Sequence, residues 1–238
     1  DLTVLFDNYS AEEEFETGWG YSCFIKKGYG GILFDTGADG QKLLRNIQKA
    51  GIKPSSISRI VISHFHKDHS GGLKEAAGLN SKAEIYVPAS IYEEVKALLP
   101  DSKVHKVSSD YVEIMKGVYL TGELGEKIKE QSLIMDTGGG LVIVTGCAHP
   151  GVKEIIEKAT SIVNQNVFAL IGGLHLKDKK EEEIYELIDY LKSKKLKYIA
   201  PSHCSGDLAR KLFKENFGSG FIPGGVGSHI YIGGFCEY

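Results

Sequence analysis

Residues 63–72 read SHFHKDHSGG, and positions 64 to 69 alone carry His64, His66, Asp68 and His69 in a chain with only 8 histidines. The stretch directly follows IleSerArgIleValIle at 57–62, a β-type apolar run, so the cluster sits where a strand stops. Imidazole and carboxylate without thiolate suit zinc, iron or manganese. Structural zinc sites are closed and cysteine-rich, whereas catalytic ones keep a position open, so a His/Asp set points to catalysis. His64 and His66 are two residues apart and can point the same way from an extended turn, with Phe65 pointing elsewhere. Asp68 and His69, further round the turn, would then face a second ion.

Working outward from this loop, LeuThrValLeuPhe at 2–6, SerCysPheIle at 22–25 and GlyIleLeuPhe at 31–34 read as strands. Leu43, Leu44 and Ile47 at helical spacing, with a glycine at position 51 suited to the stop, predict a helix over 40–50. Downstream, strands are expected at 84–87 and 104–107, with a helix over roughly 89–99 between them. The stretch 111–145 is strand-rich, and AspThrGlyGlyGly at 136–140 marks a hairpin. Pro150 is placed in a first helical turn, ahead of an apolar stripe formed by Val152, Ile155, Ile156, Ala159, Ile162 and Val163. The C-terminal third then alternates strand 167–171, helix 180–193, strand 197–200, helix 206–216 and strand 228–232. No linker interrupts the pattern, so one α/β domain spanning residues 1–238 is expected, with two sheets in the middle and helices outside.

Three more histidines follow strand ends: His149 in ThrGlyCysAlaHisProGly, His175 in GlyGlyLeuHis and His203 in ProSerHisCys. In sheet-based α/β folds, ligands gather beyond strand ends, so these loops and the 63–72 loop are expected at one rim. His105 and His229 lack such context and read as ordinary surface or hydrogen-bonded residues. The four cysteines are widely spaced without a CxxC, which argues against a disulfide framework and a zinc ribbon. Cys147 and Cys204 flank candidate ligands, but adjacent residues in a turn generally face apart, and a small buried hydrophobe is the simpler reading.

The totals exclude several classes. At 238 residues, with 42% hydrophobic and 25% charged positions, the chain has the make-up of an ordinary soluble globule. A formal charge of −3 gives no electrostatic case for nucleic acid as a main partner. No apolar run is long enough for a membrane span and no basic-apolar leader is evident, so the expected location is cytoplasmic and the expected partner a small-molecule substrate.

On these residues the chain resembles the metallo-β-lactamase superfamily over nearly its whole length. HxHxDH followed by GlyGly is that superfamily's most specific mark, and AspThrGly at 35–37 resembles its upstream aspartate motif. The resemblance implies an αββα four-layer sandwich holding two divalent metal ions, zinc first and iron or manganese as alternatives, with a shared hydroxide as nucleophile. It assigns His64, His66 and His149 to the first ion, Asp68, His69 and His203 to the second, and Asp35 to orienting the metal loop from behind. Asp68 would also orient the hydroxide or shuttle its proton. Most of the superfamily has a metal-bridging aspartate where this chain has GlyGlyLeuHis, so His175 is either a second-site ligand or merely a neighbour.

The motifs AspAsn at 7–8, ThrGlyCysAlaHisProGly, GlyGlyLeuHisLeu and ProSerHisCys resemble a subgroup of small stand-alone metal-dependent hydrolases. Some members of that subgroup carry the label of a dihydropterin ribofuranosyl-aminobenzene-phosphate synthase. The leading expectation is a metal-dependent hydrolase of a small ester-type substrate: phosphodiester, lactone or thioester. The alternative is a synthase or transferase acting on a pterin or ribosyl-phosphate intermediate, for which Trp19, Tyr21 or nearby residues would suit an aromatic-lined pocket. An iron redox protein and a nuclease rank behind both, since neither the acid substitution in HxHxDH nor an inserted arm is present. The long segment 7–21 is the expected lid or substrate wall.

Overall fold

The structure, a computed structural model, describes residues 1–28 and 30–231. In chain order its strands and helices are β1 (Leu2–Phe6), β2 (Ser22–Lys27), β3 (Gly30–Phe34), α1 (Gly40–Lys49), β4 (Ile57–Val61), α2 (Lys67–Ser70), α3 (Leu73–Leu79) and β5 (Glu84–Pro88). They continue with α4 (Tyr92–Leu98), β6 (Lys103–Val107), β7 (Val112–Met115), β8 (Val118–Leu120), β9 (Leu133–Asp136), β10 (Leu141–Thr145) and α5 (Val152–Ile162). The last are β11 (Val167–Gly173), α6 (Glu181–Ser193), β12 (Tyr198–Ser202), α7 (Asp207–Phe217) and β13 (His229–Ile230). The chain divides into two compact units, Asp1–Ser108 with Gly225–Tyr231, and Ser109–Gly224.

The first unit is built on a sheet of order β13-β1-β2-β3-β4-β5-β6. Strands from β13 to β3 pair antiparallel, and those from β3 to β6 pair parallel. Parallel pairing brings the C-terminal ends of β3, β4 and β5 to one edge. That edge is where position 35 and the histidine loop begin.

Helix α1 forms because Asp39 accepts from the Lys42 backbone N–H at 3.0 Å as N-cap, while Leu43 and Ile47 share the buried face. It stops at Gly51, in the left-handed region at φ 66°, as its expected role requires. Leu43 and Ile47 pack with Leu5, Leu33, Ile60 and Ile85 in one core. Each such burial stabilises by roughly 1.5–3 kcal/mol.

The second unit has a sheet of order β12-β11-β10-β9-β8-β7. Its β7–β10 half is antiparallel and its β10–β12 half parallel. Strands β10 and β11 are buried throughout, as parallel strands covered on both faces are. Helices α5, α6 and α7 bury Ile155, Ile156, Ile188, Leu191, Leu212 and Phe213 in this unit's core with Ile143 and Leu170.

Most expected elements stand within a residue or two of their predicted bounds. The differences have local causes. Pro150 lies outside α5, whose N-cap is Gly151 at φ 100°, a turn that starts the helix one step later than proline would. The helix α3 was not expected, because it buries only Leu73 and Ala76, too short a stripe to show periodicity. The last strand, expected over 228–232, is His229–Ile230, and position 232 lies outside the described residues. Cys236 lies outside them too.

The 7–21 segment is pinned to α1. Arg45 pairs with Glu16, and Asn46 exchanges hydrogen bonds with Glu16 through its side-chain oxygen and nitrogen at 3.0 and 2.8 Å. Tyr21 is fully buried, with burial pushing its hydroxyl pKa well up, so it packs rather than lining a substrate pocket; Trp19 is 47% exposed. Among the described residues, no helix is long and apolar enough to cross a membrane.

Candidate metal centre

In the first unit, Phe34 of β3 and Val61 of β4 are register partners, so the residues just beyond them meet. Asp35 and Ser63 therefore face each other. The Ser63 backbone N–H donates to Asp35 Oδ1 at 2.7 Å, and the Ser63 hydroxyl lies 2.7 Å from Asp35 Oδ2. Asp35 Oδ2 also lies 2.7 Å from His69 Nδ1. The carboxylate is fully buried.

These contacts decide tautomers. A carboxylate only accepts, so Ser63 Oγ spends its single proton on Asp35 and must accept from His64 Nδ1, which lies 2.9 Å away. By the same logic His69 Nδ1 carries the proton that Asp35 accepts. Both rings are left with an Nε2 lone pair, the form in which imidazole ligates a metal. His66 Nδ1 lies 3.1 Å from His64 Nε2, and the His64 and His69 ring centroids are 4.3 Å apart. Asp68 Oδ2 lies 3.8 Å from His69 Nε2. Nitrogen and oxygen donors from four residues thus converge, which fits a divalent cation of the Zn, Fe or Mn type. Phe65 points away, 40% exposed.

The loop holds this shape through backbone contacts. The His69 carbonyl accepts from the Thr36 N–H at 2.7 Å and the Thr36 hydroxyl at 2.9 Å. The Asp68 carbonyl accepts from the Tyr21 N–H at 3.1 Å. Gly20 makes that approach feasible: a Cβ on it would lie 2.3 Å from the Asp68 oxygen.

In the second unit, β10, β11 and β12 are adjacent and parallel, and the loops that follow them carry His149, His175 and His203. Glu130, fully buried, fixes the first loop. Its Oε1 accepts from the Cys147 and Ala148 N–H groups at 2.9 Å each, and its Oε2 from the His149 N–H at 2.8 Å. The His149 and His175 ring centroids are 4.4 Å apart. His203 is 1% exposed, and His175 is exposed. His175 also lines a cavity of about 570 Å³ with His149, Lys153 and Lys179.

Cys147 and Cys204 are both buried, and their sulfurs lie with a His175 ring nitrogen in one group whose members are all within 4.8 Å. Hydrogen bonding with Cys147, and next with His175, holds the Cys204 thiol pKa well down despite burial. The Cys204 sulfur in turn raises that of His175. The flanking cysteines therefore do not simply face away from the histidines; the two sulfurs turn toward His175.

The left-handed region is strained for side-chain-bearing residues. Among the described residues, the non-glycine ones found there are Asp35, Ala148, His175, Lys195 and His203, and all but Lys195 belong to these loops. His105 stacks on Tyr86 and His229 contacts Thr3, both as ordinary structural residues. Ser63 and Glu130 were missed from sequence. Ser63 was visible beside HxHxDH but is too common a residue to single out, and Glu130 sits in the charged run GluLysIleLysGlu, which reads as surface.

Three comparisons bear on this chain. The family model of the metallo-beta-lactamase superfamily matches residues 20–203, a span that includes every candidate ligand. A 7,8-dihydropterin-6-methyl-4-(beta-D-ribofuranosyl)-aminobenzene-5'-phosphate synthase of Methanocaldococcus jannaschii is 30% identical, with 80% of each chain covered. An N-acyl homoserine lactonase of Bacillus cereus is 29% identical over 113 residues, 44% of this chain and 43% of that one. Among solved structures, a metal-dependent hydrolase of the beta-lactamase superfamily superposes with a TM-score of 0.82 at 25% identity, covering 97% of this chain and 98% of that one. The expected fold class is the one found: two mixed sheets with flanking helices, of the metallo-β-lactamase type.

Proposed function

We propose that this chain, which belongs to the metallo-β-lactamase superfamily, is a metal-dependent hydrolase whose two units act as one domain on a small ester-type substrate. The observation that carries the reading is the Asp35 relay, which leaves His64 and His69 with metal-ready Nε2 atoms. In this reading His64, His66 and His149 hold one divalent ion, and Asp68, His69 and His203 hold another. His175 is also a metal ligand, with partners argued below. Zinc suits the donors best, with iron or manganese next.

Bound ions would supply an ionised water at neutral pH and polarise the scissile bond. The protein does the rest. Asp35 fixes ring orientation through His69 directly and through Ser63 to His64. Asp68, with its carboxylate only 21% exposed, orients the attacking water and accepts its proton. Glu130 holds the His149 loop in place. A cytoplasmic enzyme with a small-molecule substrate fits the mild acidity and the lack of a membrane-crossing helix among the described residues.

The test is His66→Ala, assayed for bound metal and for hydrolysis of phosphodiester, lactone and thioester probes. Loss of the metal that His66 helps to hold, read as a lower stoichiometry, and of hydrolysis is expected, and full activity in that variant would sink the proposal. A second reading, a synthase or transferase on a pterin or ribosyl-phosphate intermediate, is favoured by the likeness to the Methanocaldococcus protein. Isothermal titration with pterins and ribose phosphates separates the two. Binding without turnover of any ester probe selects the synthase.

A further inference from the structure

The second unit carries a set of donors of a different chemical character from the His/Asp loop of the first. Strands β10, β11 and β12 end at Thr145, Gly173 and Ser202. Cys147, His175 and Cys204 each stand two positions beyond those ends. Because the three strands are parallel, with Thr145 opposite Gly172 and Gly173 opposite Ser202, the three residues arrive within one position of the same level. The two sulfurs and a His175 ring nitrogen lie within 4.8 Å of one another. A tetrahedral zinc, with Zn–S of about 2.3 Å and Zn–N of about 2.0–2.1 Å, separates its ligands by roughly 3.6–3.8 Å. The set closes on an ion with shifts on the order of 1 Å or less.

The surroundings are shaped to the sulfurs. The Cys204 sulfur accepts from the His175 backbone N–H at 3.3 Å and contacts the Cys147 carbonyl at 3.7 Å. Gly173 leaves room for it: a Cβ there would lie 2.7 Å from Cys204 Sγ. His175 adopts φ 51°, a conformation disfavoured for a side-chain-bearing residue, and so turns back toward its neighbours. Packing alone gives no reason for two thiols and an imidazole to converge from three strand ends.

We propose that Cys147, Cys204 and His175 form a soft Cys₂His metal site, selective for a thiophilic divalent ion such as zinc, with donors different from those of the His/Asp set. Two buried thiolates and an imidazole prefer a softer ion than imidazole and carboxylate do. Three protein donors leave a fourth position, as in catalytic rather than closed structural sites. His175, the exposed member of the set, lines a cavity together with Lys153 and Lys179. The site also gives GlyGlyLeuHis a role where the superfamily's usual bridging acid is missing. Its existence does not depend on the hydrolase reading, since neither thiol belongs to that ligand set.

Cobalt(II) titration of the metal-stripped full chain tests it, because thiolate ligation gives a sulfur-to-cobalt charge-transfer band that nitrogen and oxygen ligands do not. The band is expected in the wild type and in His66→Ala, and is lost in the Cys147→Ser/Cys204→Ser variant with one fewer equivalent of cobalt bound. Loss of the band in His66→Ala would tie the thiolates to the His/Asp ligands and count against the proposal. Its absence from the wild type, or its survival in the double variant, would overturn the proposal. As a check independent of folding, zinc added to the wild type is expected to protect Cys147 and Cys204 from iodoacetamide. Equal alkylation with and without zinc, or a Cys147–Cys204 disulfide formed with hydrogen peroxide in zinc-loaded protein, counts against it.

Discussion

Replacing Asp35 with Asn separates charge and hydrogen-bond polarity from shape. The backbone accepts the change, because Asp35 sits at φ 55° and Asn is among the few residues that tolerate the left-handed region. The hydrogen-bond pattern does not. The carboxylate receives three donors: the Ser63 N–H, the Ser63 hydroxyl and His69 Nδ1–H, all at 2.7 Å. An Asn amide offers one oxygen and one NH₂. With its NH₂ toward Ser63 Oγ, the hydroxyl proton is driven to His64 Nδ1, which forces the Nε2–H tautomer and removes that ligand. With the amide flipped, its NH₂ meets the Ser63 N–H instead. Either way two donors oppose each other in a buried site.

Losing one such partner of a metal-bound histidine lowers affinity about 10–100-fold, and Asp35 serves two histidines, so the expected loss is about 10²–10⁴-fold. That corresponds to roughly 3–5 kcal/mol. Ser63→Ala cuts only the branch to His64 and should cost about 10–100-fold. Competition with a chelator of known affinity measures both, with circular dichroism as the check on folding. A folded Asp35→Asn protein that binds metal as tightly as the wild type would refute the tautomer argument.

Other consequences follow from single contacts. Glu130→Gln places an NH₂ against backbone N–H groups that now donate to a carboxylate, and should cost about 1–3 kcal/mol in thermal or urea unfolding, with weaker metal binding; an unchanged midpoint would argue against the clamp. Gly20→Ala drives a methyl into the Asp68 carbonyl at 2.3 Å from a φ of 143°, so metal occupancy should fall even where the fold survives, read by elemental analysis. The Lys103 ammonium beside Glu84, with the Tyr86 hydroxyl, holds its carboxyl down to about 2 from 4.5. A depressed folded value adds stability above the unfolded one and gives it back as pH falls through the folded one. Glu84→Gln should therefore lower Tm at pH 7, and the deficit should shrink below pH 4.5 and close near pH 2; a deficit independent of pH would contradict this pairing.

The elements long or periodic enough to show in sequence stand near their predicted positions: α1, α5 and α6 through their apolar stripes, and β10 and β11 through continuous apolar runs. HxHxDH was legible because it is local. What escaped depends on partners distant in sequence. Ser63 acquires a role only because β3 and β4 pair in parallel and bring Asp35 to it. Glu130 reads as one more surface acid until its two oxygens are seen to receive three backbone donors from residues 17 to 19 positions away. The Cys147, Cys204 and His175 group was invisible for the same reason, since its members follow three different strands. Reasoning from adjacent residues in a turn set the cysteines against their histidine neighbours, whereas the parallel register sets them against each other.

The two units solve one physical problem in the same way. A metal loop must keep polar and ionisable groups in place inside a protein before any cation arrives, at the cost of desolvation and backbone strain. In the first unit the fully buried Asp35 carboxylate takes three donors from the histidine loop. In the second the fully buried Glu130 carboxylate takes three donors from the loop that bears His149. Each of the three donors replaces part of the hydration that the carboxylate loses on burial. Each carboxylate also adds a negative charge close to the donors, which favours a cation there. The left-handed residues Asp35, Ala148, His175 and His203 lie in the same loops, so the strain is carried where these carboxylates and the parallel sheet edges hold the backbone. Rigidity of this kind makes ligand geometry a property of the fold, and a variant that removes either carboxylate should loosen its own loop far more than it disturbs the sheet beneath.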